Sequence, residues 1–535
     1  MMHLFKVYST WIGYELRPLF IIKQLGFTTL AHIILLMVKL RCYWTKFVKG
    51  VSMDLTSLLE SVTIDYPSST EIIISGIQFH SSKVRKGDLF VAIRGLKVDG
   101  HNYILEAIKA GAVAIVGEEN LNNLSVPYYR VSNARKALAL LASEFYENPS
   151  RRHMMIGITG TNGKTTTAHL LRYILESAGI SCSLIGTVSH YINGMEIPST
   201  QTTPDALQLQ QLLYQSQDQV VIMEVSSHGI DQDRIHGIEY DLALFTNLSH
   251  DHLNYHKTLE DYFQTKARLF TQMKRNGVAI ITSRCNWGKR LIDQLLTKKS
   301  SVKTFGDSDR DQIELIVVKS ESPLKVEIRE GDKHYIVSTS LEGIYNFWNV
   351  AAAWLTARQI GIKAAIIQNA LQSFPGVPGR YEVYSHPNGA QFIIDYAHTP
   401  DGFFQFLRTL HARKPSRVIH IFGFRGNGDP TKRHVMLEIS AAWSDRIILT
   451  QDDLNDVEPE SILEQLHGFA NDFEGKHCMV IEDRTKAIEY VWEQVGKGDL
   501  VAITGKGIET YDQYFALPCK SDRDTIQYLL NKETR

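Results

Sequence analysis

The sequence predicts an α/β protein of three domains, with parallel sheets that carry the ligand sites. Three observations lead to this fold class. The chain has 535 residues, which is more than one hydrophobic core usually serves. Short continuous apolar runs alternate with helical patterns in its middle and again in its last third. This alternation is typical of parallel sheets that helices cover on both faces.

Residues 1–52 are basic and apolar and differ from the rest of the chain. Their apolar run, Ile33 to Val38, is well short of the roughly 20 residues that a membrane span needs. No small-residue cleavage site of a signal peptide follows that run. We interpret the segment as an extension of unknown role. The preferred interpretation is a misassigned leader before a start at Met53, and the alternative is a peripheral membrane helix. The segment gives no firm evidence for a membrane.

The first domain is predicted over residues 53–149, where short strands accompany a helical stretch at Asn102–Ala110. The second is predicted over residues 150–378. It opens with the apolar run Met154–Ile158, a Gly-rich turn and a helix from about Thr165 to Ala178, and its further strands are Val220–Val225, Leu242–Phe245 and Val278–Thr282. Ligands of such sheets bind beyond the carboxyl ends of the strands.

The third domain is predicted over residues 379–535 as a second doubly wound unit. Its strands are Phe392–Asp395, Val418–Phe422, Arg446–Thr450 and Leu500–Thr504, and helical stretches separate them.

The composition is that of a globular protein, with 44% hydrophobic residues, 21% charged residues and a net charge of −1. Since no basic excess is present, we expect no nucleic-acid partner. The five cysteines are scattered without a CxxC pair, which fits a reducing cytosol and argues against disulfides or a zinc site. We expect a cytoplasmic protein, and a monomer.

The most specific local pattern is Gly160-Thr-Asn-Gly-Lys-Thr-Thr-Thr167, between a predicted strand and a predicted helix. Its glycines let backbone N–H groups turn toward phosphate oxygens, and the helix start adds its positive dipole end. In such a loop Lys164 reaches the outer phosphates and the Thr165 hydroxyl binds Mg²⁺. The spacing is not the standard GxxxxGK[ST], and a plain Gly-rich turn with an exposed lysine is the weaker alternative.

Polar side chains also follow the next predicted strands. Glu224 ends one strand, where a metal-facing carboxylate sits beside a phosphate loop. The following strand ends in Thr246-Asn-Leu-Ser-His-Asp-His-Leu-Asn254, which contains His252. Each of these residues alone, and Lys266 further on, is more often ordinary surface polarity. Three strands that deliver polar groups to one sheet edge favour a site there.

A series of motifs in matching order resembles the Mur ligases, and among them the MurE type, the UDP-N-acetylmuramyl-tripeptide synthetases. Besides the phosphate loop they are TTPDA (202–206), EVSSHGI (224–230), TNLSHDHLNYH (246–256), YFQTKARLF (262–270), PGRYE (378–382), DYAHTPDG (395–402) and TGKGIETY (504–511). The resemblance implies an N-terminal uridine-nucleotide-binding domain, a central P-loop ATPase domain and a C-terminal Rossmann-like domain that binds the amino acid.

The resemblance implies an ATP-dependent amide ligase of peptidoglycan precursor synthesis, with ATP and Mg²⁺ as cofactors. In that family ATP phosphorylates the terminal carboxylate of UDP-N-acetylmuramoyl-L-alanyl-D-glutamate. An amino acid then attacks the acyl phosphate, and phosphate leaves. The implied partners are therefore small molecules, a nucleotide-linked peptide and an amino acid.

The resemblance also implies site residues. The ATP site would comprise Gly160, Thr161, Asn162, Gly163, Lys164, Thr165, Thr166, Asn349, Arg380 and Asp395. The catalytic residues would be Lys164, Glu224, His252 and Lys266. The metal ligands would be Thr165, Glu224, His252 and Lys266, the last as a carbamylated N6-carboxylysine. The nucleotide-linked substrate would contact Ser81, Thr202, Thr203, Ser226 and Arg234.

The amino acid would contact Asp452, Asp453, Asn455, Gly505 and Glu509, and here the sequence departs from the family. Members that add meso-diaminopimelate carry Asp-Asn-Pro-Arg at the position where this chain has Asp452-Asp-Leu-Asn455. The arginine of that motif pairs with the distal carboxylate of diaminopimelate. Asn455 cannot form a bidentate charged pair, which disfavours diaminopimelate. The extra carboxylate of Asp453 favours a cationic side chain such as lysine or ornithine. The segment Phe424–Asp429 also differs from the family's GGDRD stretch.

Two other functions stay open at this point. The changes in the residues expected to bind the substrates also fit a MurE-like paralogue that joins an amino acid to a different carboxylate in another pathway. A nucleotide-binding regulatory or scaffold protein is the non-enzyme alternative, and the joint presence of Lys164, Glu224, His252 and Lys266 argues against it. Because the last domain also contributes ATP contacts, we expect domain closure to assemble the site.

Overall fold

The protein is described by a computed structural model over residues 51–62, 71–95, 98–319, 324–473 and 477–533. The predicted extension lies outside the described residues, apart from Val51 and Ser52. Three main sheets follow one another along the chain, each with its own buried apolar clusters. We refer to them as the N-terminal, central and C-terminal units. The described part of the chain has no helix that is both long and apolar enough to cross a membrane.

The N-terminal unit contains a parallel sheet of four strands in sequence order. These strands are β3 (Gly76–Gln78), β4 (Asp88–Val91), β5 (Ala114–Gly117) and β6 (Tyr128–Arg130). A small antiparallel pair, β1 (Met53–Asp54) and β2 (Ile73–Ile74), lies beside it. The helices are α1 (Leu55–Glu60), α2 (Ile104–Ala110) and α3 (Ala134–Phe145). The predicted helical stretch at 102–110 is therefore confirmed.

The central unit is an 11-stranded sheet in the order β10-β9-β8-β11-β7-β12-β13-β14-β15-β16-β17. Its strands are β7 (Met154–Thr159), β8 (Cys182–Ile185), β9 (Ser189–Ile192), β10 (Met195–Pro198), β11 (Val220–Glu224), β12 (Tyr240–Phe245), β13 (Met273–Thr282), β14 (Ser301–Gly306), β15 (Ile313–Lys319), β16 (Leu324–Glu330) and β17 (Lys333–Thr339). The seven strands from β8 to β15 are parallel, and the strands outside them on both edges are antiparallel.

Helices cover both faces of the central sheet, as the continuous apolar strands predict. They are α4 (Lys164–Ser177), α5 (Ala206–Gln215), α6 (Ser227–Asp231), α7 (Leu253–His256), α8 (Leu259–Ala267), α9 (Asn286–Thr297), α10 (Tyr345–Gln359) and α11 (Ala364–Ser373). Successive strand side chains point to opposite faces. Ile156 accordingly packs into the cluster with α4 and α10, while Met155 packs into the one with α5 and α8.

The C-terminal unit is a six-stranded sheet in the order β18-β19-β23-β20-β21-β22. Its strands are β18 (Glu382–Ser385), β19 (Gln391–Asp395), β20 (Val418–Phe422), β21 (Arg446–Leu449), β22 (Cys478–Val480) and β23 (Leu500–Thr504), and only β18 is antiparallel to its neighbour. The helices are α12 (Pro400–Ala412), α13 (Arg433–Trp443), α14 (Pro459–Asp472), α15 (Arg484–Trp492) and α16 (Asp522–Glu533). The four strands predicted here are confirmed, with ends that move by no more than one residue.

A buried ion pair fixes the end of β23 in this unit. Arg484 and Asp522 have fully buried side chains joined by two hydrogen bonds of 2.7 and 2.8 Å, and Arg484 also donates to the carbonyl of Thr504 at 2.9 Å. We expect Asp522→Ala to lower the free energy of unfolding by about 3–5 kcal/mol, because it leaves a guanidinium buried without its partner. Denaturant unfolding followed by circular dichroism measures this, with the exposed Asp309→Ala as control. A loss below about 1 kcal/mol would contradict the expectation.

Candidate active site

The loop from Gly160 to Thr165 connects the end of β7 to the start of α4. Gly160 has a φ of 147° and Gly163 a φ of 87°, and a Cβ at either position would collide with Thr246 Oγ1 or Asn349 Oδ1. Only glycine has neither the Cβ nor the strain at such angles. The Asn162 N–H donates to Asn247 Oδ1 at 2.9 Å, which holds the loop against the chain that follows β12.

A half-buried lysine, Lys164, and a fully buried one, Lys266, meet at this loop. Lys164 Nζ donates to the carbonyls of Gly160 and Thr161, at 2.8 and 2.9 Å, and Lys266 Nζ on α8 donates to the same Gly160 oxygen at 2.9 Å. Burial lowers the pKa of both amines, and for Lys266 the nearby Lys164 lowers it further. Neither lysine forms an ion pair with a carboxylate in the described parts of the chain. The Lys164 ammonium, which has no carboxylate partner among the described residues, suits an anion such as phosphate.

Glu224 ends β11 with a completely buried carboxylate beside the start of α4. Its Oε2 accepts hydrogen bonds from the hydroxyls of Thr165 at 2.7 Å and Thr187 at 3.0 Å, and its Oε1 accepts from the Thr187 N–H at 2.9 Å. The Thr165 hydroxyl and the Glu224 carboxylate are hard oxygen donors, the kind that Mg²⁺ prefers. The predicted pair of metal ligands is therefore adjacent in space.

His252 precedes α7 in a left-handed conformation, with a φ of 54°. Burial lowers the pKa of its imidazole to about 3, so the ring is neutral at pH 7, the form that can bind a metal. Its Nε2 lies 3.2 Å from the buried carboxylate of Asp251, and its ring lies against that of His228.

The central and C-terminal units touch across the phosphate loop. Lys432 pairs with Asp251 at 2.7 Å, Asn162 donates to Asp401 at 3.0 Å, and Arg380 Nη2 lies 3.4 Å from Thr165 Oγ1. A cavity of about 860 Å³ lies between the two units. All of the predicted ATP-site residues except Gly160 line it, while Glu224 and Lys266 lie directly behind it through their bonds to Thr165 and Gly160.

Two of these residues also have structural duties. The Asp395 carboxylate accepts the backbone N–H groups of Tyr381 and Ala397, at 2.8 and 2.7 Å, and its burial raises its pKa. The Asn349 side chain donates to Asn346 at 2.8 Å and lies behind Gly163. Both therefore help to fix the wall of the cavity.

Four of the five residues predicted for the nucleotide-linked substrate also line this cavity, namely Thr202, Thr203, Ser226 and Arg234. Arg234 Nη1 donates to the Thr203 carbonyl at 2.7 Å, and Thr203 Oγ1 accepts from the Ser226 N–H at 2.9 Å. Arg234 also lines a second cavity of about 210 Å³ at the N-terminal unit. Ser81 lines neither cavity, although its neighbours Phe79 and His80 line the smaller one.

Sequence reasoning missed several residues of the smaller cavity, among them Phe79, His80, Arg135 and Gln201. No motif carried them, because they come from the N-terminal unit and from loops that meet only in the folded chain. No run of proline or glycine residues marks these positions in the sequence either.

The predicted amino-acid residues gather in what we call the C-terminal corner, formed by residues 423–429, 452–455 and 505–509. Asp452 and Gly505 line the large cavity, as does Arg425. The carboxylate of Asp453 pairs with the buried Lys506 and is nearly buried itself. Its charge is matched inside the chain, which removes the argument that it selects a lysine or ornithine side chain. Sequence reasoning missed Arg425 and Lys506 as parts of this corner.

Three family models match the chain. The Mur ligase family catalytic domain matches residues 73–146, the Mur ligase middle domain residues 158–357, and the Mur ligase glutamate ligase domain residues 379–507.

Individual proteins match over most of their length. The UDP-N-acetylmuramoyl-L-alanyl-D-glutamate–2,6-diaminopimelate ligase of Aquifex aeolicus is 41% identical, over 82% of this chain and 90% of its own. The ligase of the same name from Clostridium botulinum is 36% identical, over 86% of this chain and 95% of its own. A solved structure of a ligase of the same name superimposes with a TM-score of 0.64 at 27% identity, over 90% of this chain and all of the other. The chain therefore belongs to the Mur ligase family, whose members are ATP-dependent enzymes that form carbon–nitrogen bonds.

Proposed function

We propose that this chain joins an amino acid to the free carboxylate of UDP-N-acetylmuramoyl-L-alanyl-D-glutamate, in the synthesis of peptidoglycan precursors in the cytosol. The observation that carries the proposal is the cavity of about 860 Å³ between the central and C-terminal units. Its wall includes the phosphate loop, the residues around Arg234 and the C-terminal corner. Three ligands can therefore meet in it. The names and the extent of the relatives support the same substrate.

In the proposed reaction, a carboxylate oxygen of the peptide attacks the γ-phosphorus of ATP, and ADP leaves. Lys164 and the backbone N–H groups at the start of α4 stabilise the charge on the transferred phosphoryl group. The amine of the amino acid then attacks the carbonyl carbon. An amide forms, and phosphate departs with the former carboxylate oxygen.

Mg²⁺ fits the donors that lie beside the phosphate loop. Thr165, Glu224 and His252 would hold it, and it would supply positive charge to the phosphate oxygens. Glu224 has no cationic partner among the described residues. A bound cation would compensate its buried negative charge.

Lys266 supports a second metal position if it is carbamylated. Its amine is 1% exposed, has no carboxylate partner in the described chain and has a pKa held far below the usual value, chiefly by burial. A neutral amine adds CO₂ and releases one proton, which converts the side chain into an anionic carbamate. The carbamate would also place a negative charge near the ammonium of Lys164.

An assay of ATP-dependent phosphate release tests the proposal. Purified enzyme is given UDP-N-acetylmuramoyl-dipeptide with diaminopimelate, ornithine or each of the twenty amino acids. Turnover that needs both the dipeptide and one amine is the expected result. If no amine supports turnover, the alternative of a paralogue with another carboxylate substrate takes its place.

Arg234→Ala is expected to raise the KM for the nucleotide-linked peptide roughly 10- to 100-fold and to leave the KM for ATP nearly unchanged. The guanidinium lines both cavities, and its charged hydrogen bonds to a diphosphate or carboxylate are of that strength. Steady-state kinetics measure both constants, with the exposed Arg151→Ala as control. An unchanged KM for the peptide would remove Arg234 from the substrate site.

A further inference from the structure

The turn between β8 and β9 lies directly against the carboxylate of Glu224. Its first two residues are Gly186 and Thr187. A Cβ at Gly186 would collide with Glu224 Oε1, so a side chain at this position would push the turn away from the carboxylate. The Gly186 N–H donates to Nδ1 of the buried His190 at 3.4 Å, which ties the turn to β9. The turn is therefore held close to the end of β11.

Thr187 binds both oxygens of this carboxylate. Its N–H donates to Glu224 Oε1 at 2.9 Å, and its hydroxyl donates to Oε2 at 3.0 Å. An ionised carboxylate has no proton to give, so the hydroxyl proton of Thr187 points to Glu224. Two contacts from one residue fix the direction in which the plane of the carboxylate faces.

A second threonine fixes the Thr187 hydroxyl from its other side. The hydroxyl oxygens of Thr187 and Thr202 lie 3.0 Å apart. Because the single hydroxyl proton of Thr187 is used on Glu224, the Thr202 hydroxyl is the donor of this bond. Both threonines line the large cavity. A chain of two hydroxyl groups thus connects the cavity wall at Thr202 to the carboxylate of Glu224.

The hydroxyl of Thr165 differs from that of Thr187 in its expected role. It also donates to Glu224 Oε2, at 2.7 Å, but Thr165 is itself one of the residues that would hold Mg²⁺. Thr187 is outside that set of ligands. Its two bonds to Glu224 can therefore persist while Thr165 and Glu224 bind the metal.

We infer that Thr187 is a positioning residue, which holds the Glu224 carboxylate in the orientation that binds Mg²⁺. Thr202 in turn aligns the Thr187 hydroxyl. Hydrogen-bond partners of a metal-ligating carboxylate typically contribute about 10- to 100-fold to metal affinity. The inference rests on the Mg²⁺ site of the proposed function and extends it to a residue that does not itself bind the metal.

The test compares the wild-type enzyme with Thr187→Val, which has nearly the same shape without the hydroxyl, and Thr187→Ser, which keeps the hydroxyl. Binding of Mn²⁺ to protein that holds β,γ-methylene-ATP, followed by electron paramagnetic resonance, needs no turnover. We expect Thr187→Val to raise the Kd for Mn²⁺ roughly 10- to 100-fold and Thr187→Ser to raise it less than about threefold. The exposed Thr271→Val is the matched control, and thermal unfolding verifies that each protein is folded.

Steady-state kinetics provide a second readout. In Thr187→Val the Mg²⁺ concentration that gives half-maximal phosphate release should rise by the same factor as the Kd for Mn²⁺. The KM for the amino acid should change less than about twofold, since the amine is expected in the C-terminal corner. A general loss of structure would change both constants.

Thr202→Val tests the chain of hydroxyl groups without altering Thr187. Measured in the absence of the peptide, it is expected to raise the Kd for Mn²⁺ about 2- to 10-fold, because the Thr187 hydroxyl loses the bond that aligns it. This variant also covers the case in which Thr187→Val does not fold.

An unchanged Kd for Mn²⁺ in Thr187→Val would overturn the inference. So would an equal rise in Thr187→Ser, because the hydroxyl would then not be the cause, or an unchanged Kd in Thr202→Val. Failure of the proposed function is a separate result, in which the wild-type enzyme turns over no amine. The Mn²⁺ measurements still decide the role of Thr187 in that case.

Discussion

Lys164→Ala is expected to reduce ATP-dependent phosphate release by about 10²–10³-fold. Lys164 lies at the first position of α4, and within the described chain its ammonium bonds to two loop carbonyls, those of Gly160 and Thr161. Those carbonyl bonds are replaceable by phosphate oxygens, which carry full charge and bind the ammonium more strongly. Because the transferred phosphoryl group gains its stabilisation from this charge, the loss falls mainly on kcat.

The control for this prediction is Lys289→Ala on α9, whose side chain is exposed. Phosphate release by the control should match that of the wild-type enzyme. If Lys164→Ala kept more than about a tenth of the wild-type rate, Lys164 would not act on the transferred group.

Lys266→Ala is expected to lower kcat by a similar factor of about 10²–10³, and short carboxylic acids such as acetate are expected to restore part of it. The physical reason is that the variant lacks the carboxylate that carbamylation provides. Added acetate can occupy the space behind the phosphate loop that the side chain leaves. The assay is phosphate release as a function of acetate concentration.

Lys266→Arg is the matched control, since it keeps the positive charge and cannot form a stable carbamate. It should be inactive and should not respond to acetate. Carbon-13 NMR with labelled bicarbonate gives an independent measurement, with a carbamate signal in the wild-type protein and none in the variant. Full activity of Lys266→Arg would contradict the carbamate role, because a cation alone would then suffice.

The central and C-terminal strands could be predicted from the sequence because both of their faces are buried. β11, for example, consists of five buried residues, and its run stands out against the polar turns around it. The strands β8–β10, β14–β18 and β22 were not predicted. In β16 the buried residues Val326 and Ile328 alternate with charged ones, since one face meets solvent, and so no continuous apolar run marks the strand.

The phosphate loop could be predicted because its glycines, lysine and threonines are local in the chain. The charge balance of the C-terminal corner could not be predicted from the sequence, since it depends on ion pairs between residues that meet only in the folded chain. Asp453 and Lys506 are 53 residues apart in sequence, and Arg425 and Glu509 are 84 apart. A free carboxylate at Asp453 was therefore a reasonable hypothesis from the sequence, and it was wrong because a distant lysine neutralises it.

The central claim is that the peptide carboxylate is phosphorylated at the loop around Lys164. The most direct measurement uses UDP-N-acetylmuramoyl-L-alanyl-D-glutamate with ¹⁸O in its terminal carboxylate, and mass spectrometry of the phosphate released during amide formation. We expect each phosphate to carry one ¹⁸O atom from the substrate. Phosphate free of ¹⁸O, accompanied by normal amide formation, would contradict it.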